Sequence, residues 1–179
     1  MKNVMLDLET LGTSAGCSIL SIGAIYFDQA GLGQEFYQVI SKYSCGQHGL
    51  SEDAATLKWW SERTPEARQV LEEAELPDAM PLTDALIRFN AFLKLNTGVK
   101  VWGNGADFDN SILIAAYRAT GVEQGWGPWC GRCYRTLKSL VPNAPNLVRV
   151  GVYHNALDDA KSQALHAIEL VKYSTGVIL

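Results

Sequence analysis

The sequence predicts an α/β fold, a five-stranded mixed sheet flanked by helices. β-rich stretches separated by Gly-containing turns fill the first 41 residues and make an antiparallel ribbon. Segments with apolar residues at helical spacing follow. A short strand interleaved among those helices makes the sheet mixed and leaves helices to cover it.

Taken in order, Asn3–Leu8 is a strand, Ser18–Phe27 a second rich in Ile, and Glu35–Ser41 a third, with the glycines of Asp28–Gly33 supplying the hairpin turn. Ser51–Glu62 has a Ser start signal and good helix formers, and Pro65–Glu75 opens with proline in its first turn, so two consecutive helices are expected. Leu82, Ala85, Leu86, Phe89 and Leu93 define one face of a helix over Leu82–Leu95. Lys100–Gly103 reads as a strand, Phe108–Thr120 as a helix, and Asn155–Ser174 as a long closing helix. The fifth strand is expected within Cys130–Val152.

A chain of 179 residues, 47% of them hydrophobic, is long enough for a single domain over residues 1–179 with a sizeable core. No uncharged apolar run reaches the roughly eighteen residues of a membrane span, and Lys2, Asp7 and Glu9 break any signal-peptide pattern, so a cytoplasmic protein is expected. Four cysteines in a chain of this length are expected to be reduced thiols. The formal net charge of −4 argues against a broad basic face that grips long duplexes through many phosphates. A site holding divalent cations escapes that argument, because the ions reverse the sign that a phosphate meets.

Three acidic clusters carry the chemistry. Asp7 and Glu9 end the first strand two residues apart, so both carboxylates point to one face, an arrangement that suits a hard cation such as Mg²⁺. Alone, the pair reads more readily as solvated acids on an edge strand. In Gly103-Asn104-Gly105-Ala106-Asp107-Phe108-Asp109-Asn110 a strand end runs into a helix start; Asp107 is expected to cap that helix, which leaves Asp109 for another role. His154-Asn155-Ala156-Leu157-Asp158-Asp159 opens the last helix. Asn155 and Asp158 have the spacing of a capping box, while Asp159 falls in the first turn, where the helix dipole favours an ionised carboxylate.

In this order, Asp-x-Glu, Phe-Asp and His-x-x-x-x-Asp resemble the three motifs of the DEDDh 3'-5' exonucleases, a superfamily with a ribonuclease H-like fold. Thr56-Leu57-Lys58-Trp59-Trp60, Val101-Trp102-Gly103-Asn104-Gly105 and Cys133-Tyr134-Arg135-Thr136-Leu137-Lys138 are similar to a phage and prophage group of compact exonuclease VIII-like or exoribonuclease-like enzymes. Gly103-Asn104 stands where many relatives have His-Asn.

The resemblance implies a single exonuclease domain that binds the 3' end of a nucleic acid, single-stranded DNA or short RNA, and releases 5'-mononucleotides. It implies two Mg²⁺ or Mn²⁺ ions held by Asp7, Glu9, Asp109 and Asp159, with Asp7 bridging both, Glu9 and Asp159 completing the water-activating site, and Asp109 supporting the second ion through water. His154 is the implied general base, its ordinary pKa near 6.5 allowing it to accept a proton at neutral pH. The polymer and the oligomeric state stay open, a homodimer among the alternatives. Two other readings keep the fold: a ribonuclease H-like endonuclease, and a polymerase-binding or nucleic-acid-binding subunit without turnover.

Other features admit two readings each. Cys45, His48, Cys130 and Cys133 have knuckle-like spacing for zinc, although the halves lie far apart in sequence. Trp59 and Trp60 lie about 100° apart on a helix, so one faces the core while the other is available to stack on a terminal base. Trp126 and Trp129 either plug the fold or line a groove. Arg132, Arg135, Lys138 and Lys161 serve backbone phosphates or an ordinary solvated surface.

Overall fold

The computed structural model describes residues 1–174; the last five residues of the domain expected from the sequence lie outside the described residues. Strands β1 (Asn3–Thr10), β2 (Ile19–Asp28), β3 (Gly31–Val39), β4 (Lys100–Gly103) and β5 (Gly131–Cys133) form one sheet in the order β3-β2-β1-β4-β5. The β1, β2 and β3 pairings are antiparallel, whereas β4 and β5 run parallel to β1. The five-stranded mixed sheet expected from the sequence is therefore present, with its fifth strand at the start of the unassigned stretch.

The helices are α1 (Lys42–Gln47), α2 (Ala54–Ser61), α3 (Pro65–Glu75), α4 (Leu82–Leu93), α5 (Ser111–Thr120), α6 (Tyr134–Leu140) and α7 (Ala156–Tyr173). Alternation along β1 sorts its side chains between two layers. Val4, Leu6 and Leu8 join Leu86 and Phe89 of α4 and Ile112, Leu113 and Ala116 of α5 in one core. Met5 joins Phe27, Trp102, α6 and the Ala160, Ala164 and Ala167 stripe of α7 in the other. A third cluster sets Trp60 of α2 and Ala67, Val70 and Ala74 of α3 against Leu11 and Leu20, closing the end of the sheet where β1 finishes. Among the described residues, no helix is long and apolar enough to cross a membrane.

Several boundaries differ from the sequence reading, each for a local reason. The hairpin turn is only Gln29-Ala30, stabilised by the Ala30 N–H donating to the Asp28 carboxylate at 2.9 Å, so Gly31 and Gly33 belong to β3. Helix α1 is too short to show a period; Ser41 caps it by accepting from the Ser44 N–H. Asp53, not Ser51, caps α2, because Ser51 is engaged in a bridge with Cys17. The helix expected over Phe108–Thr120 is divided: Ala106–Asn110 form a π-helical turn before α5 begins at Ser111. That wide turn carries no side-chain cap, and Asp107 is exposed rather than capping. At α7, Asn155 accepts from the N–H groups of Leu157 and Asp158, but Asp158 accepts from the Val152 N–H instead of completing a capping box.

Candidate active site

β1 carries the site because its outward alternation changes character along the strand. The face that starts with apolar Met5 continues as Asp7 and Glu9, which look toward the beginning of α7 rather than into a hydrocarbon layer. A close approach brings α7 there. Gly23 pairs with Asp7 across the sheet, and a Cβ on it would lie 2.1 Å from the Ala156 carbonyl carbon, so only glycine lets the first turn of α7 rest on β2. From that turn Asp159 reaches the Glu9 side of the cleft.

His154 immediately precedes the helix. It is the one non-glycine residue among the described residues with a left-handed backbone, at φ +65, a conformation that costs a non-glycine residue on the order of 1 kcal/mol or more. The His154 N–H donates to Asp159 Oδ2 at 2.9 Å, which ties the strained peptide to the carboxylate five residues on. Its ring stacks on Tyr153 at 3.7 Å and meets the edge of Trp59 at 4.8 Å.

Asp109 arrives from the π-turn. A Cβ on Gly103 would meet the Asn110 amide oxygen at 2.3 Å, so glycine in place of a larger residue lets the turn fold back over the end of β4. Asp109 Oδ1 accepts from the Leu8 N–H at 3.2 Å, while its other oxygen is buried without a partner. Asp7 Oδ1 accepts from the Gln163 amide at 2.7 Å.

Asp7, Glu9, His154 and Asp159 line one cleft of about 600 Å³; Asp109 is not part of its surface but lies buried beneath, against β1. Of the five, Glu9, His154 and Asp159 come closest to a shared point, with ligand atoms within 4.8 Å of one another. The electrostatics follow from burial. Desolvation, then the charges of Asp109, Glu9 and Asp159, hold Asp7 well above the usual carboxylate range. Burial, then Asp159 and Asp109, pushes Glu9 up to about 8; burial raises Asp109 to about 7 against the hydrogen bond from Leu8. Asp159 is raised by burial as well, opposed by the His154 N–H and Arg149. His154 is lowered, first by burial and then by Arg63 and Arg149. Clustered, desolvated acids with an unpartnered buried oxygen are a donor set that fits divalent cations.

Other sequence candidates are sorted by the fold. Trp60 is core and donates to the Thr10 carbonyl at 2.9 Å, whereas Trp59 stays partly exposed in the cleft with the Arg63 guanidinium 4.4 Å above its ring. Trp126 plugs the core beside Phe89 and Tyr117, and Trp129 is exposed. Of the four basic residues only Arg135 lines the cleft; Lys161 pairs with Glu35 at 2.8 Å, Lys138 lies over Tyr134, and Arg132 donates to backbone carbonyls. Cys45 donates to the Ile19 carbonyl and His48 bonds Thr83, while Cys130 precedes β5 and Cys133 ends it. Among the described residues these four form no metal-ligating group, so the zinc alternative has no geometric support. Sequence reasoning missed Gln163, Tyr153, Arg63 and Arg149. Only Gln163 carried a signal, lying one helical turn beyond Asp159 on the same face.

Comparison with known proteins agrees with this fold. The nuclease domain of 3'hExo, described as a DEDDh family member bound to rAMP, superposes with a TM-score of 0.64 over 99% of this chain and 96% of that one, at 12% identity, which identifies the fold. An exodeoxyribonuclease of Enterobacteria phage T4 is 22% identical over 130 residues, 66% of this chain; the match spans only 56% of that relative's length. Residues 2–171 match the family described as the 3'-5' exoribonuclease Rv2179c-like domain, and the chain belongs to that family.

Proposed function

We propose that the chain is a divalent-metal-dependent 3'-5' exonuclease that hydrolyses phosphodiester bonds at the 3' end of single-stranded DNA or short RNA and releases 5'-mononucleotides. The observation that carries this reading is the meeting of Asp7, Glu9, His154 and Asp159 in one cleft with Asp109 directly behind them. Glu9, Asp159 and Asp7 would hold the cations from the cleft, with Asp109 supporting them from the β1 side. Bound there, two Mg²⁺ or Mn²⁺ ions supply a water of lowered pKa and neutralise charge on the leaving oxygen.

His154 takes the proton of the attacking water. Burial and the two nearby arginines keep its imidazole neutral near pH 7, and Tyr153 and Trp59 fix its plane. Trp59 offers a partly exposed face at the cleft wall for the terminal base, a contact worth about 1–3 kcal/mol where stacking is complete. Trp60, which belongs to the third core cluster, lines the cleft beside the carboxylates.

The test is incubation of 5'-labelled single-stranded DNA, duplex DNA and short RNA with Mg²⁺ or Mn²⁺, comparing wild type with Asp7→Ala. A descending ladder from wild type alone supports the reading and ranks the polymers. Products of internal cleavage, or equal products from both proteins, overturn it.

A further inference from the structure

Asp159 has two carboxylate oxygens, and both are addressed by donors of this chain. Oδ2 accepts from the His154 N–H; Oδ1 accepts from Nη1 of Arg149. The peptide N–H takes one acceptor position of Oδ2, so Oδ1 is the freer oxygen for a cation held with Glu9, and the guanidinium addresses that same atom. A dication and Arg149 therefore compete for one acceptor.

Arg149 has a second anchor. Its guanidinium lies over the Tyr153 ring at 3.7 Å, and that ring in turn stacks on His154. Its side chain is 44% exposed. Breaking the ion pair would leave the guanidinium on the Tyr153 face, at the rim of the cleft, with its donors turned to solvent. Arg149 also lines a neighbouring cavity of about 360 Å³ with Lys138 and Asn146, and no carboxylate is among the residues lining that cavity. An acid-rich cleft and an acid-free basic cavity thus share one residue at their boundary.

We propose that Arg149 is an exchangeable counter-ion: it neutralises Asp159, yields that oxygen to the divalent cation, and then binds a backbone phosphate of the substrate strand as the strand passes toward Lys138. This rests on the nuclease reading above. The competing view makes Arg149 a brace that merely orients Asp159, and the two views predict opposite changes in metal affinity.

The experiment measures Mn²⁺ binding by calorimetry without nucleic acid, for wild type, Arg149→Met and Arg149→Lys, each checked for folding by its thermal melt. Arg149→Met is expected to bind Mn²⁺ more tightly, by up to about fivefold, the range set by loss of a partly exposed ion pair. With a strand carrying a non-hydrolysable 3'-terminal linkage, Arg149→Met is expected to bind about tenfold more weakly, with a salt slope smaller by about 0.7, the value for one lost phosphate contact on a single strand. Arg149→Lys is expected to keep the wild-type salt slope. Mn²⁺ affinity that is unchanged or weaker in Arg149→Met, or an unchanged strand affinity, overturns the proposal while leaving the nuclease reading intact. Wild type that binds no Mn²⁺ and yields no ladder overturns both.

Discussion

Gly23→Ala tests the packing that assembles the site without touching any residue that performs chemistry. The added Cβ would lie 2.1–2.3 Å from Ala156 C, Leu157 N and Ala156 O, all backbone atoms of the first turn of α7, against 3.4–4 Å for ordinary contact. The turn must therefore retreat by about 1 Å or more, since neither a β-strand flanked on both sides nor a helix backbone can yield as a flexible side chain does. His154 and Asp159 retreat with it, while Asp7 and Glu9 stay on β1. A misplacement of about 1 Å costs roughly 100-fold in turnover, and overpacking of this kind costs about 1–3 kcal/mol of stability. For a chain of this size that corresponds to a fall in Tm of roughly 2–12 °C. The assay is single-turnover cleavage of a 5'-labelled strand at saturating Mn²⁺, with a thermal melt on the same preparation. A variant with wild-type turnover and wild-type Tm would refute the claim that contact between β2 and α7 positions the carboxylates.

Three further outcomes are expected. Glu9 is raised to about 8 and Asp109 to about 7 in the folded chain, above their ordinary values, so the folded state binds more protons than the unfolded one. Stability is then fully present below about pH 4 and is lost as pH rises through 7 to 8, by on the order of 5 kcal/mol at most from Glu9 alone. Thermal melts in chelator from pH 5 to 8 should show Tm falling, and Mg²⁺ should restore it more at pH 8 than at pH 5; a Tm that rises over this range would contradict the electrostatic account. His154→Ala should lose most turnover while Mn²⁺ binding by calorimetry persists, and wild-type turnover at saturating metal would remove His154 from the mechanism. Trp59→Ala should raise KM by about fivefold or more, as loss of a base stack does, with a smaller change in kcat; an unchanged KM would place the terminal base elsewhere.

Much of this site was legible in the sequence because its acids sit on elements with simple local rules. Asp7 and Glu9 share a face by strand alternation, and Asp159 falls in a first helical turn by counting from Asn155. The same rules failed where the chain departs from a regular period. A single helix over Phe108–Thr120 would have carried Asp109 around with the regular turn; the π-turn widens the backbone and aims it at the Leu8 N–H, 101 residues away in sequence. Gly103, which looks like a departure from the pattern of relatives, turns out to be the space that this turn occupies.

By itself the sequence determined most element types and the set of acids and histidine with their order along the chain, since each depends on neighbours within a few residues; α1, α6 and the place of β5 were not legible in it. Tertiary structure alone decided that Asp109 lies behind the cleft, that Gln163 holds Asp7 across 156 residues, and that Trp59 comes nearer His154 than Trp60 does, at 4.8 Å against 6.3 Å. It also decided that Arg149, from a stretch without strand or helix, sits on Asp159. Such partnerships arise when packing brings distant segments together, and no spacing along a chain encodes which side chains will meet when two helices and a sheet close on one another.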